Sequence, residues 1–423
     1  MIKIYDVAII GMGAAGCMAG IAASQSGVDV VIADGNEKPG KKIYITGKGR
    51  CNVTNKAPLP EFLKHVCRNP RFLYSAFASF SNEETIRFFE THGQPLKVER
   101  GGRVFPTSDH SSDIIRVLRQ SLEQHRVELR YHFRVDSIQV EKEHFILFSE
   151  DKQQRLEARN LIVATGGLSY PGTGSTGDGY RFAKQFGHSL SPTSPSLVPI
   201  QLQENFIADW EGISLRNIAL STGTSKKKKT YFGEMVFTRD GISGPIVLTL
   251  SSDLSGTEVK GQKLTLDWKP ALTEEQLRRR LTRERDSGAN RHLGTLFSTF
   301  LPQRVISVFL EKGGWKSDFP FHDWTRSDAN RFIDLLKRFP LTVESLGSFK
   351  QAVITRGGVN VREVDPHTMQ SRIQQHLFFA GEILDVDAQT GGYNLQLAFS
   401  TGHLAGLSAA ALCADAHAKP LNR

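Results

Sequence analysis

Gly11, Gly13 and Gly16 stand at the spacing G-x-G-x-x-G, and an acid, Asp34, follows them. The chemistry open to that set is the holding of a dinucleotide. The first glycine permits a tight turn, the second lets backbone approach a pyrophosphate, and the third lets a helix lie close to a strand. A helix that begins there offers free N–H groups and partial positive charge to the phosphates. Asp34 can accept hydrogen bonds from a ribose. A second set follows, in which Gly40, Gly47 and Gly49 are mixed with Lys41, Lys42, Lys48, Arg50, Cys51, Asn52 and Asn55. That composition suits a loop pressed against something anionic or planar. A third set near the other end runs from Gly381 and Glu382 through Asp385, Asp387, Gly391, Gly392, Tyr393 and Asn394.

The elements that must position these residues are readable. Residues 4–10 are a β-branched apolar run that reads as a buried parallel strand. Ala19, Gly20, Ala22 and Ala23 give the next helix a small-residue face, Gly27 closes it, and residues 28–33 make a second strand ending at Asp34. Strand, glycines, helix, strand and acid thus occur in order within one βαβ unit, the context this fingerprint requires. Residues 161–167 form another buried strand that ends in Thr165, Gly166 and Gly167, and residues 377–380 a third that ends in Gly381 and Glu382. Between them the pattern predicts helices over 69–93, 112–124 and 180–186, strands over 127–140 and 144–148, and a second glycine–basic loop at 101–108. A Ser/Pro-rich stretch at 191–196 marks a boundary. The expected architecture is α/β: a discontinuous nucleotide-binding domain over 1–190 and 343–423, an inserted β-barrel-like region over 191–272, and a helical subdomain over 273–342.

At 423 residues the chain is long enough for two or three domains, and 39% hydrophobic with 23% charged residues is ordinary for a globular protein. Its four cysteines include no C-x-x-C, which argues against a disulfide framework, a zinc site and a dithiol redox pair. The N-terminal apolar run leads into a glycine turn rather than a cleavage site. The most apolar stretch, residues 395–414, carries Gln396 and His403 and reads as a buried helix. A cytoplasmic protein without a membrane segment is expected. The net charge of +9 is unevenly spread: residues 38–72 hold nine Lys/Arg against the single acid Glu61, and residues 226–229 are four lysines. The first segment partly serves cofactor phosphates and the second suits a solvated hairpin tip, yet together they also fit RNA. Nothing in the sequence fixes an oligomeric state.

Three widely separated glycine-turn strands, the last almost at the C-terminus, favour FAD over NAD. The layout resembles the glutathione-reductase-like FAD fold, in which the C-terminal residues return to the flavin. No second G-x-G-x-x-G occurs in the insert. The likeness becomes specific at Gly47, Gly49, Arg50, Cys51, Asn52, Thr54 and Asn55. It extends through residues 102–106, 174–180 and 241–245, and through Ala380, Gly381, Glu382, Gly391, Gly392, Tyr393 and Asn394. On these motifs the whole chain resembles the YhiN/BaiN-type flavoprotein family. That resemblance implies a Rossmann-like FAD domain with an inserted β-barrel and a helical subdomain. The activities it implies include reduction of activated C=C bonds in bile-acid intermediates, aminoacetone oxidation, and reduction of a uridine in large-subunit ribosomal RNA to dihydrouridine. Asp34 departs from the more usual Glu, and Lys48 from a small residue.

The resemblance assigns Gly11, Gly13, Ala15, Gly16, Asp34, Lys41 and Lys42 to the adenosine half of FAD and the backbone of Val135 to the adenine. It puts Thr165 and Gly166 on the cofactor, Gly381 and Glu382 at the ribityl chain, and Asn394 and Leu395 beside the flavin. Arg50, Cys51 and Asn52 then face flavin or substrate. Reduction of a C=C bond needs a hydride at one carbon and a proton at its neighbour, so a positioned acid is wanted. Cys51 is the expected donor with Arg50 beside it, against the competing reading of Cys51 as a small packing residue. Tyr393 and His403 are weaker candidates. NADH or NADPH is the expected reductant, no metal is expected, and the substrate is RNA or a small molecule.

Overall fold

In the computed structural model, which describes residues 3–142, 144–223, 228–288 and 291–418, the run Ile4–Ile10 is the strand β1. Helix α1 (Ala14–Ser24) and strand β2 (Val30–Ala33) follow it. β1 pairs in parallel with β2, Val7 opposite Val30 and Ile10 opposite Ala33, and on its other side with Arg155–Val163. From Val7 to Ile10 the strand is paired on both edges and buried on both faces, which is why that part is apolar without alternation. Among the described residues the sheet has seven strands. Glu128–Arg130 lies outside β2, Leu377–Phe379 runs parallel to Arg155–Val163, and His144–Ser149 and Val135–Glu141 continue antiparallel.

The C-terminal helix Tyr393–Ala418 lies along α1. Small residues make that approach feasible. A β-carbon on Gly402 would sit 2.2 Å from the Ala15 carbonyl oxygen, and one on Gly406 2.2 Å from that of Ala19. The last helix is thereby locked onto the helix that begins at the glycine turn.

The chain divides into two units, Met1–Ser196 with Phe349–Arg423, and Leu197–Ser348. Both ends of the insert therefore lie further along the chain than 190/191 and 342/343. Leu190–Ser196, Ser/Pro-rich and linker-like in composition, pairs antiparallel with Ile354–Val359 and belongs to the first unit. At the other end Phe339–Leu346 is a strand of the second unit, where the described residues close a six-stranded barrel. The helices Glu274–Gly288, Leu293–Ser298, Ile306–Gly313 and Arg326–Lys337 are an excursion between two barrel strands. They do not form a core of their own: Phe309 meets both Trp268 and Phe339, and one apolar cluster spans barrel and helices.

Smaller differences have local causes. The expected helix over 69–93 breaks at Phe80, because Ser81 starts a new helix, Asn82–Thr91, with a reciprocal cap to Glu84. Residues 40–55 are not all loop: Lys41–Ile45 is one helical turn, and Thr54–Asn55 pairs with Arg103–Pro106 in a small three-stranded sheet. Of the lysine cluster, Lys226 and Lys227 lie outside the described residues, while Lys229 pairs with Asp253 at 3.0 Å. No helix among the described residues is long and apolar enough to cross a membrane.

Candidate functional site

The glycine turn has the form its spacing predicts. Gly11 has φ +103°, and a β-carbon there would meet the Ala164 carbonyl oxygen at 2.5 Å. A β-carbon on Gly16 would lie 1.8 Å from the Gly11 oxygen, so strand and helix touch backbone to backbone. Gly13 has nothing within 4 Å of that position. Backbone is open to a ligand there, at the start of an eleven-residue helix with no side-chain cap and no acid in its first turn. Open backbone, uncapped N–H groups and absent negative charge together fit a pyrophosphate.

Around the turn the other expected residues sort into places. Asp34 Oδ2 accepts from the Met12 N–H at 2.6 Å, and its Oδ1 accepts from the Asn36 backbone N–H and side-chain amide, each at 2.8 Å. The acid thus clamps the turn to the end of β2, and Lys41 joins it through Asn36 at 3.2 Å. The Phe133 N–H donates to the Asp34 carbonyl, which brings Val135, buried two residues on, to the same end of the sheet. Thr165 follows the strand that flanks Gly11, and Gly166 turns the chain there with φ +74°. Gly381 comes back against Ala15, where a β-carbon would be 2.7 Å from that of the alanine. Gly11, Gly13, Ala15, Gly16, Thr165 and Gly381 therefore converge.

Lys42 does not join Lys41. Its ammonium donates to Glu382 Oε2 at 2.5 Å and to Ser169 Oγ at 2.6 Å. Glu382 Oε1 accepts from the Ser169 hydroxyl at 2.5 Å and the Thr355 N–H at 2.8 Å. Lys42 thus holds Glu382 in place.

The expected acid and its neighbour are both relocated. Cys51 is completely buried, and burial pushes its thiol up to about 12, tempered by a hydrogen bond with the Thr46 side chain. A thiol with no exposed surface cannot touch a substrate unless its cover moves, so the packing reading of Cys51 fits better than the catalytic one. Arg50 is engaged by its own surroundings. Its guanidinium lies 4.2 Å over the Phe105 ring, donates to Asp109 Oδ1 at 2.6 and 2.8 Å, and also pairs with Glu99. An arginine engaged by two carboxylates and a ring is a structural tie. Asn52 alone of the three keeps an unused group, a buried Oδ1 without a hydrogen-bond partner. A β-carbon on Gly392 would lie 2.8 Å from that oxygen. Asn394 is fully used by its own loop, bonding the Ala388 N–H and the Ala388 and Gln389 carbonyls, and Leu395 packs partly buried against the core.

One group went unassigned in the sequence. The stretch 385–389 runs beside 65–69: the Cys67 N–H donates to the Asp387 carbonyl, and the Gln389 N–H to that of His65. Asp385 is nearly buried and takes both Nε and Nη2 of Arg68 at 2.7 Å, with Ser191 Oγ also at 2.7 Å. Asp387 is 1% exposed and neither carboxylate oxygen has a hydrogen-bond partner. Burial pushes its carboxyl up to about 6, against the pull of Arg356 and Arg68. His65 stacks on Tyr393 at 4.5 Å, and its Nδ1 lies 2.8 Å from Gln389 Oε1. His403, bonded to Ser79 and stacked on Phe80, is a core residue whose pKa burial lowers.

The family described as "HI0933-like protein Rossmann domain" matches residues 5–408. The chain is similar to a 3-dehydro-bile acid delta(4,6)-reductase of Clostridium scindens, 33% identical over 96% of this chain and 98% of that protein. It is similar also to ribosomal RNA dihydrouridine synthases. That of Haemophilus influenzae is 30% identical over 95% of this chain and 97% of its own length, and that of Escherichia coli 31% over 94% and 96%. Among solved structures, the fold is shared with a 3-ketosteroid delta1-dehydrogenase from Sterolibacterium denitrificans. That likeness has a TM-score of 0.53 and 13% identity, and covers 97% of this chain and 100% of that one.

Proposed function

The chain belongs to the HI0933-like family of FAD-dependent oxidoreductases, and from that premise we propose that it reduces the C=C bond of a uridine in large-subunit ribosomal RNA to dihydrouridine, with NADH or NADPH as electron source. Bound FAD would supply the hydride that one carbon of that bond receives. The neighbouring carbon takes a proton, and the residues named next would hold and orient the cofactor. The backbone at Gly11, Gly13 and Gly16 and the start of α1 take the pyrophosphate. Asp34 and Lys41 stiffen the adenosine end, Glu382 (fixed by Lys42) meets the ribityl chain, and Asn52 offers its unused oxygen near the start of the last helix. Cys51 is left out as proton donor, because its thiol reaches no surface.

The observation that carries the RNA reading is where the basic surplus goes. Lys48, Lys56 and Arg71 stand exposed, and among the described residues none of the three has an ion pair. They lie on the same stretch of chain that contributes Asn52. Cations that neutralise nothing within the protein are available to phosphates. A second reading, a small-molecule enone reductase, is favoured by the 33% identity to the bile-acid enzyme. Dihydrouridine is to be mapped in ribosomal RNA of a host lacking the gene and of its parent. Loss of one modified position, restored by the intact gene, supports the RNA reading. Unchanged RNA, with flavin reoxidation by a steroid enone, replaces it with the second.

A further inference from the structure

Within the first unit a cleft of about 510 Å³ opens between the stretches 69–72 and 361–372. Its walls carry three arginines, Arg71, Arg362 and Arg372, over an apolar floor that includes Phe72 and Val364. All three are exposed. Arg372 has only a loose contact with Asp365 at 3.8 Å, and among the described residues Arg71 and Arg362 have no carboxylate partner. The nearby acid Glu363 is already occupied by Ser189 and by His188. Three guanidinium groups facing one cleft repel one another, and a set of planar forks without internal partners is suited to phosphate oxygens.

Two features favour a nucleic-acid strand over an isolated phosphate. Tyr74, just past the cleft wall, is 55% exposed, and a basic groove beside an exposed aromatic ring is the recurring way of holding single strands. The cleft wall is also tied by hydrogen bonds to the stretch that runs into the candidate site. Asn69 on its wall donates to the Asp385 carbonyl at 2.6 Å, and Arg68 and Cys67 bind Asp385 and Asp387. His65 then meets Gln389, whose carbonyl is bonded by Asn394. Resting on the ribosomal RNA reading above, we propose that this cleft is a phosphate-binding subsite that grips the RNA backbone beside the reacting uridine.

The test uses the flavin-loaded protein and a fluorescein-labelled oligouridylate, with binding followed by anisotropy across a salt series. The log–log salt slope should fall by about 0.7 for each arginine removed from contact with a single strand. The set Arg71→Gln, Arg362→Gln and Arg372→Gln should therefore flatten it, while Arg71→Lys, Arg362→Lys and Arg372→Lys should restore it. Tyr74→Ala should weaken binding several-fold and leave the slope unchanged. Unchanged affinity and slope in the glutamine set, with flavin content intact, overturns the subsite. So does a glutamine set that binds oligouridylate normally but is reduced more slowly by NADPH than by NADH, since the cleft would then serve a nucleotide phosphate. Failure of the RNA reading itself is read separately, as unchanged dihydrouridine in ribosomal RNA of the deletion host.

Discussion

The two units are packed on different terms. The first is held by close backbone contacts between small residues, and its interior keeps polar groups of real size: Asn55, Asn82, Gln396, Asp385 and Asp387. The second contains all four tryptophans of the chain, Trp210, Trp268, Trp315 and Trp324, packed mostly edge-on or tilted among phenylalanines, and its buried polar residues are small hydroxyls such as Ser251 and Thr342. Ring packing tolerates loss of volume at a graded cost, whereas backbone-to-backbone contact has no slack. The candidate site lies in the unit where larger polar groups are buried, and fixed dipoles and unpartnered oxygens are what a cofactor can use.

The comparison predicts its largest effect at the glycine turn. Gly16→Ala places a methyl group 1.8 Å from a backbone oxygen that cannot yield, so the variant should be colourless and largely unfolded. Gly13→Ala meets nothing within 4 Å, and should fold normally yet lose FAD, because the methyl group stands where a phosphate approaches. Flavin absorbance and far-UV circular dichroism separate the two. A yellow, folded Gly16→Ala would break the argument from close approach.

The second unit should respond by degrees. Phe332 is fully buried and stacks on Phe297 with ring centroids 4.1 Å apart. Phe332→Ala should cost about 3–5 kcal/mol in a denaturant melt, while the fraction still folded keeps its flavin. Loss of flavin from folded protein would show that the two packing schemes are not independent.

What the sequence made legible follows the same division. β1, α1 and β2 were readable because strand period, glycine spacing and helix composition are local, and the close approaches at Gly11 and Gly16 follow from that spacing; that Asp34 would clamp the turn through Met12 and Asn36 was not readable. Partnerships across long separations were not readable. Lys42 finds Glu382 across 340 positions, and Arg68 finds Asp385 across 317. Cys51 looked chemical because glycines and cations surround it in sequence, but in the fold it is completely buried in the first unit's apolar cluster. Leu190–Ser196 looked like a linker because Ser and Pro dominate it, and it became a strand only because Ile354–Val359 returns beside it. Asp387 was visible only as one acid in an acid-rich turn, since nothing local marks a carboxylate that ends up without a partner.

Asp387 gives the last and smallest test, and its sign is fixed by burial. Its carboxyl titrates near 3.8 in the unfolded chain and at about 6 in the fold. Between those values the unfolded chain has released the proton that the folded chain still holds, so stability falls as pH rises through the window. Below it both states are protonated and nothing is lost. Above it the penalty is complete, about 3 kcal/mol. Arg356 and Arg68 already moderate that figure, and Asp385 and Glu382 add to it. Asp387→Asn should thus stabilise the protein at pH 7, with the gain shrinking to nothing near pH 3.5, as measured by urea melts across that range. The second unit provides the opposite sign: Arg338 holds the Glu274 carboxyl low and Lys260 that of Glu344, so Glu274→Gln or Glu344→Gln should erase a small stability that fades as pH falls. If Asp387→Asn instead destabilises at pH 7, the carboxylate is charged and partnered in solution, and the first unit tolerates buried polar groups by pairing them rather than by leaving one free for a ligand.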